Sequence, residues 1–130
     1  MSVSIVPFYA ALLAGLYIFL SLRVIGMRVR GQVGLGDAGN PKLQRAIRVH
    51  ANFSEYVPLA LILLAFVEMQ KASPLLLHLL SLALLLGRAI HACGVSQEQE
   101  DYRLRVTGTI LTFASIAVPA VILVGSFVFG

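Results

Sequence analysis

Charged side chains are scarce in this sequence: 12% of 130 residues, against about a quarter in an ordinary soluble domain. Apolar residues fill the difference, at 58%, with a mean hydropathy of +0.89. So few charges cannot coat a water-facing surface, and the long apolar runs place the chain among membrane proteins. Cysteine is almost missing too. Cys93 stands alone, which excludes an internal disulfide and a multi-cysteine metal site; among its apolar neighbours it reads as a small packing residue. The sequence has no His/Glu zinc motif, no nucleophile elbow and no P-loop, so no metal is expected. A cleaved leader is not expected either, because the basic residues follow the first apolar run rather than precede it and no small-residue cleavage site stands out. The net charge of +4 raises the question of nucleic acid. The basic residues flank apolar runs instead of forming a stripe, which excludes that partner.

A membrane span takes roughly 20 residues. Four spans consume most of the chain and leave no separate soluble domain. The expectation is one domain over residues 1–130, all-α, a transmembrane four-helix bundle. The first helix covers residues 6–27 and ends in the basic cluster Arg23, Arg28 and Arg30. Gly34-Leu35-Gly36-Asp37-Ala38-Gly39 matches G-x-G-x-x-G, but a transmembrane helix precedes it where a dinucleotide fold needs a strand, so it reads as a flexible loop. The second helix opens at Asn40-Pro41, an N-cap followed by a proline suited to the first helical position, and runs to about residue 70. The third opens at Ser73-Pro74 and runs to about residue 93. The fourth covers residues 102–129, with Pro119 expected to kink it. Of the ten basic residues, only Lys71 lies in the second connection; the others surround the first and third. The positive-inside rule then puts those two connections in the cytoplasm and both termini on the opposite side.

The second helix carries the most informative mismatch. Its apolar part, residues 57–67, reaches only about 16 Å at 1.5 Å per residue, against a hydrocarbon core of about 30 Å. If the helix spans, its polar half lies at membrane depth, and Arg48, His50, Asn52 and Glu55 need protein or a water-filled cavity around them. Arg45, Arg48, Asn52 and Glu55 fall within about 80° of one another around the helix. Two guanidinium groups, an amide and a carboxylate suit a small zwitterion or anion; the bland alternative is an internal ion pair of Glu55 with Arg48 or Arg45. This face is expected to point away from lipid. His50 lies off it by more than about 90°. Arg88 and His91 are one turn apart on the third helix and serve either structure or a site. Arg105, Thr109 and Thr112 share a face of the fourth, where the threonines can glue helices and Arg105, like Arg103, can snorkel.

Residues 43–59, LQRAIRVHANFSEYVPL, resemble the signature of the MAPEG family, the membrane-associated proteins in eicosanoid and glutathione metabolism. The shared pattern is Arg48, Asn52 four residues on, Glu55 three further, then Tyr56 and Pro58. Gly87-Arg88-x-x-His91 and Arg105-x-x-Gly108 extend the resemblance across the chain. Gly36-Asp37-x-Gly39 and the Ala46-Ile47-Arg48-x-His50 run are most similar to the bacterial branch, related to microsomal glutathione transferase. The resemblance implies a homotrimer in a bacterial inner membrane, with glutathione as co-substrate bound between subunits near the cytoplasmic side. It implies Arg28, Arg48, His50, Asn52, Glu55, Tyr56 and His91 as glutathione contacts, and Arg105 as the thiolate-stabilising catalytic residue. Gly108 favours Arg105 over Arg103 in that role. A cation beside a thiol lowers its pKa and supplies thiolate at neutral pH. The implied activity is transferase or peroxidase chemistry on hydrophobic electrophiles, lipids or hydroperoxides. Two family positions differ: a tyrosine of the third helix is Val95, and a second basic residue closing the first is Val29. Both argue against leukotriene synthesis. The alternatives are a non-catalytic binding or scaffold protein of the same family and, more remotely, a small multidrug transporter, whose key carboxylate belongs in a first helix that has none here.

Overall fold

The structure, a computed structural model, describes residues 2–130. Four helices follow one another: α1(Ile5–Gly31), α2(Pro41–Met69), α3(Pro74–Ser96) and α4(Tyr102–Phe129). All four are long and apolar enough to cross a membrane. The shortest has 23 residues and the longest 29, or about 35 and 44 Å at 1.5 Å per residue. Each therefore exceeds the hydrocarbon thickness of about 30 Å. The polar half of α2 is continuous helix with the apolar half, so its ionisable residues do ride on a membrane-length element.

Helix starts follow their local chemistry. Asn40 Oδ1 accepts from the amides of Lys42 at 3.0 Å and Leu43 at 3.3 Å, with Pro41 at the first position. Asp101 accepts from the Arg103 amide. Ser73 precedes Pro74 as expected, but its hydroxyl makes no capping bond. Two ends extend past their expected positions. α1 continues through Arg28 and Arg30 to Gly31, and Gln32 closes it in the left-handed region. α3 continues to Ser96. Basic residues near a helix C-terminus favour the last carbonyls, which accounts for the extra turn of α1. Both α2 and α4 run through their internal prolines, Pro58 and Pro119.

α2 sits centrally, packed on α1, α3 and α4, while α1 also meets α3; among the described residues α1 and α4 do not touch. The core runs along this arrangement through Leu13, Leu20, Val49, Leu64, Leu77 and Leu84. The α3–α4 seam is the tightest. A Cβ built on Gly108 would lie 2.6 Å from the Gly87 carbonyl oxygen and 2.7 Å from His91 Cβ, and one on Gly94 would lie 2.8 Å from Leu104 Cβ. Small residues let membrane helices approach backbone to backbone, and here they bring α4 against the turn of α3 that carries His91. At the other end of the bundle, Glu68 closes the fold. Its carboxylate, nearly buried near the C-terminus of α2, accepts from the amides of Ser4, Ile5 and Val6 at 2.6 to 2.7 Å. These are the orphan donors that begin α1.

Candidate functional site

A cavity of about 430 Å³ opens between α2, α3 and α4 at the basic end of the bundle. Arg48 and Asn52 reach it from α2, His91 from α3 and Arg105 from α4, beside Arg45, Gln44, Val95 and Thr109. Its walls are therefore mainly donors and cations, drawn from three helices.

Asn52 and Arg105 are held from behind. Arg88 is 2% exposed and has no carboxylate partner among the described residues. Its Nη1 donates to Asn52 Oδ1 and its Nε to Thr112 Oγ1 at 3.0 Å, while the guanidinium stands 5.7 Å from the Tyr56 ring centroid. Thr112 in turn donates to the Gly108 carbonyl at 2.8 Å. With its oxygen engaged by Arg88, the Asn52 amide keeps its NH₂ free to donate. Arg105 is oriented by Glu100, from the connection before α4. Nη2 donates to Glu100 Oε1 at 2.7 Å and Nε lies 2.7 Å from Oε2 without the alignment of a hydrogen bond, an ion pair that leaves Nη1 with no partner among the described residues. Arg45 Nη1 meets the same carboxylate at 2.7 Å and the Val95 carbonyl at 3.0 Å. The Glu100 side chain is only 2% exposed, so it acts as the internal counter-ion for two cations of the cavity.

The expected site residues divide. Arg48, Asn52, His91 and Arg105 share the cavity, and exposed Arg103 does not line it. Arg28, His50, Glu55 and Tyr56 do not line it within one chain. Arg28 Nη1 donates to the Gly36 carbonyl at 2.7 Å, securing the first connection. His50 turns to α1, where Nε2 meets Ser21 Oγ at 3.0 Å and its ring stacks on Tyr17 at 5.0 Å. Tyr56 packs on Phe113 and under Arg88. Glu55 lies 3.8 Å from Arg48, both side chains more than half exposed; a pair so open contributes little. The face of α2 is thus split: Asn52 turns inward, while Arg48 and Glu55 stay open on the single chain. Sequence reasoning missed Glu100, which sits in a connection with no periodic signal, and undervalued Arg88, whose burial only packing reveals. Among the described residues no three His, Cys, Asp or Glu side chains gather into a metal cage.

The arrangement that the helices build agrees with a family comparison. The MAPEG family model matches residues 6–125. The chain belongs to the MAPEG family. Two relatives, both named inner membrane protein YecN, come from Escherichia coli K12 and from the O6:H1 strain CFT073. Each is 36% identical over 108 residues, covering 83% of this chain and 81% of the relative. As a MAPEG protein the chain is an integral membrane protein, and its four helices are membrane spans.

Proposed function

We propose that this MAPEG protein binds glutathione in the α2–α3–α4 cavity and presents its thiolate to hydrophobic electrophiles or hydroperoxides dissolved in the bilayer. The observation that carries this reading is the convergence of Arg48, Asn52, His91 and Arg105 from three helices on one cavity. Glutathione offers two carboxylates, an ammonium group and a thiol. Arg48 and the Asn52 NH₂ suit a carboxylate, and Glu55 at the open edge suits the ammonium group. Arg105, with Nη1 free and its other edge fixed by Glu100, suits the thiolate. The site belongs to a homotrimer in the bacterial inner membrane, with the first and third connections cytoplasmic. Because Arg28 lies outside the cavity of its own chain, a neighbouring subunit supplies it.

A second reading, a binding or scaffold protein without turnover, draws support from Glu100. A carboxylate 2.7 Å from Arg105 offsets the charge that a thiolate needs, and Val95 stands where the family has a tyrosine. One experiment separates them: conjugation of a chlorinated aromatic, or reduction of a hydrophobic hydroperoxide, by the detergent-solubilised protein with glutathione. Wild type is expected to show thiolate absorbance and turnover. Removing one donor that stabilises developing anionic charge costs about 10²–10³ in rate, so Arg105→Ala should fall by that factor. Arg48→Ala should raise the KM for glutathione. Saturable glutathione binding with neither thiolate absorbance nor turnover would leave the second reading standing.

A further inference from the structure

A second cavity, of about 370 Å³, lies on the other side of α2, lined by Arg23, Met27, Lys42, Ala46, Ser96 and Glu98. Glutathione chemistry does not use it. Arg23 Nη1 donates to Ser96 Oγ at 2.9 Å, but Nε and Nη2 are buried without an acceptor. Buried donors are nearly always paired, so this guanidinium lacks a partner that the described residues do not provide. Lys42 is exposed at the start of α2 and, like Glu98, belongs to no ion pair among the described residues.

We propose that this cavity binds an oxyanion of the phosphodiester type, the headgroup phosphate of an anionic phospholipid. Arg23 and Lys42 carry two positive charges and Glu98 one negative, leaving one positive charge for a singly charged phosphodiester. Arg23 stands eight residues before the C-terminus of α1, about 12 Å along the helix axis. The helix is about 10 Å longer than the hydrocarbon core, so the Arg23 backbone lies just inside the hydrocarbon boundary, and its long side chain can snorkel outward to a headgroup phosphate. Met27, one turn on from Arg23 on α1, and Ala46 of α2 form the apolar part of the lining beside the cation. Basic pockets between membrane helices recognise anionic headgroups through these elements. The site stands whether or not the neighbouring cavity holds glutathione.

The test is thermal unfolding of the full chain in detergent, titrated with phosphatidylglycerol, phosphatidylcholine or sodium phosphate. Phosphatidylglycerol is expected to raise the melting midpoint, and phosphatidylcholine, whose choline cation offsets the same phosphate beside Arg23 and Lys42, to raise it far less. Lys42→Gln should weaken the apparent affinity for phosphatidylglycerol about fivefold, in line with about 1 kcal/mol per basic residue near a charged membrane surface. Arg23→Gln should abolish it and Glu98→Gln should strengthen it, while Arg103→Gln, outside the cavity, should match wild type. Lys42 and Glu98 are exposed, so their variants test the site even where Arg23→Gln fails to fold. A shift produced equally by sodium phosphate and weakened in Lys42→Gln keeps the oxyanion site but makes soluble phosphate its source. Equal shifts from both lipids, or a phosphatidylglycerol response unchanged in Lys42→Gln and Glu98→Gln, would overturn the proposal.

Discussion

Two arginines of the candidate site share one carboxylate, and that single side chain decides how they behave. Glu100 Oε1 accepts from both Arg105 and Arg45. Under the catalytic reading it keeps Nη1 of Arg105 aimed into the cavity. Hydrogen bonds to charged groups are worth about 1.5–3 kcal/mol, so Glu100→Gln should lower kcat/KM roughly tenfold or more, together with thiolate absorbance. A rise in glutathione affinity without turnover would mark Glu100 as a competitor for the arginines. Asn52 gives a stability counterpart. Asn52→Leu removes the acceptor of a buried guanidinium, and an orphaned charged donor costs about 1–3 kcal/mol or more. A lower melting temperature in detergent is the expected outcome, whatever the activity. These contacts mark the limit of sequence reading at this scale. The spacing of Arg48 and Asn52 identifies a polar face of α2, but Glu100 reaches Arg45 across 55 positions of chain, and no local pattern encodes that meeting. His50 shows the converse: the same helix carries it, yet its angular offset turns it to Tyr17 and Ser21 on α1.

Among the elements, the helices themselves were legible because their signals are local. Asn40-Pro41 and Ser73-Pro74 mark two starts, although only Asn40 makes the capping bonds, and apolar length marks the spans. Ends were less so, since Arg28, Arg30 and the residues after Cys93 continue a helix without the hydrophobicity that marks a span. How tightly α3 meets α4 was not readable from hydropathy, although the glycines responsible were visible. Gly108→Ala forces a methyl group to within 2.6 Å of the Gly87 carbonyl, and overpacking of this kind costs about 1–3 kcal/mol. The melting temperature should fall, and glutathione binding should weaken with it because His91 must shift. Gly15→Ala on α1 is the control: nothing lies within 4 Å of its Cβ. Alanine there should be neutral or stabilising by about 0.5–1 kcal/mol, and thermal melts of the two variants should diverge in sign.

At the scale of the whole molecule, the cavity and Arg28 are separate within one chain, and the proposed trimer reunites them across a subunit boundary. Arg28→Ala and Arg105→Ala should each abolish most turnover alone. Co-expressed, they should recover about a quarter of wild-type activity, the share expected when random assembly across a head-to-tail interface restores both arginines to one site. No recovery in verified mixed oligomers would place both arginines in the same subunit's site. The molecular scale was the least legible, because assembly depends on surfaces that apolar composition alone does not distinguish from lipid-facing ones. The lock between Glu68 and the amides of Ser4, Ile5 and Val6 has a consequence for biogenesis. Until residue 68 has been synthesised and α2 has turned back alongside it, the leading end of α1 lacks these three acceptor contacts. The first two helices therefore reach their finished state as one hairpin, and an arrested nascent chain ending before that carboxylate should hold α1 in the bilayer with a frayed first turn.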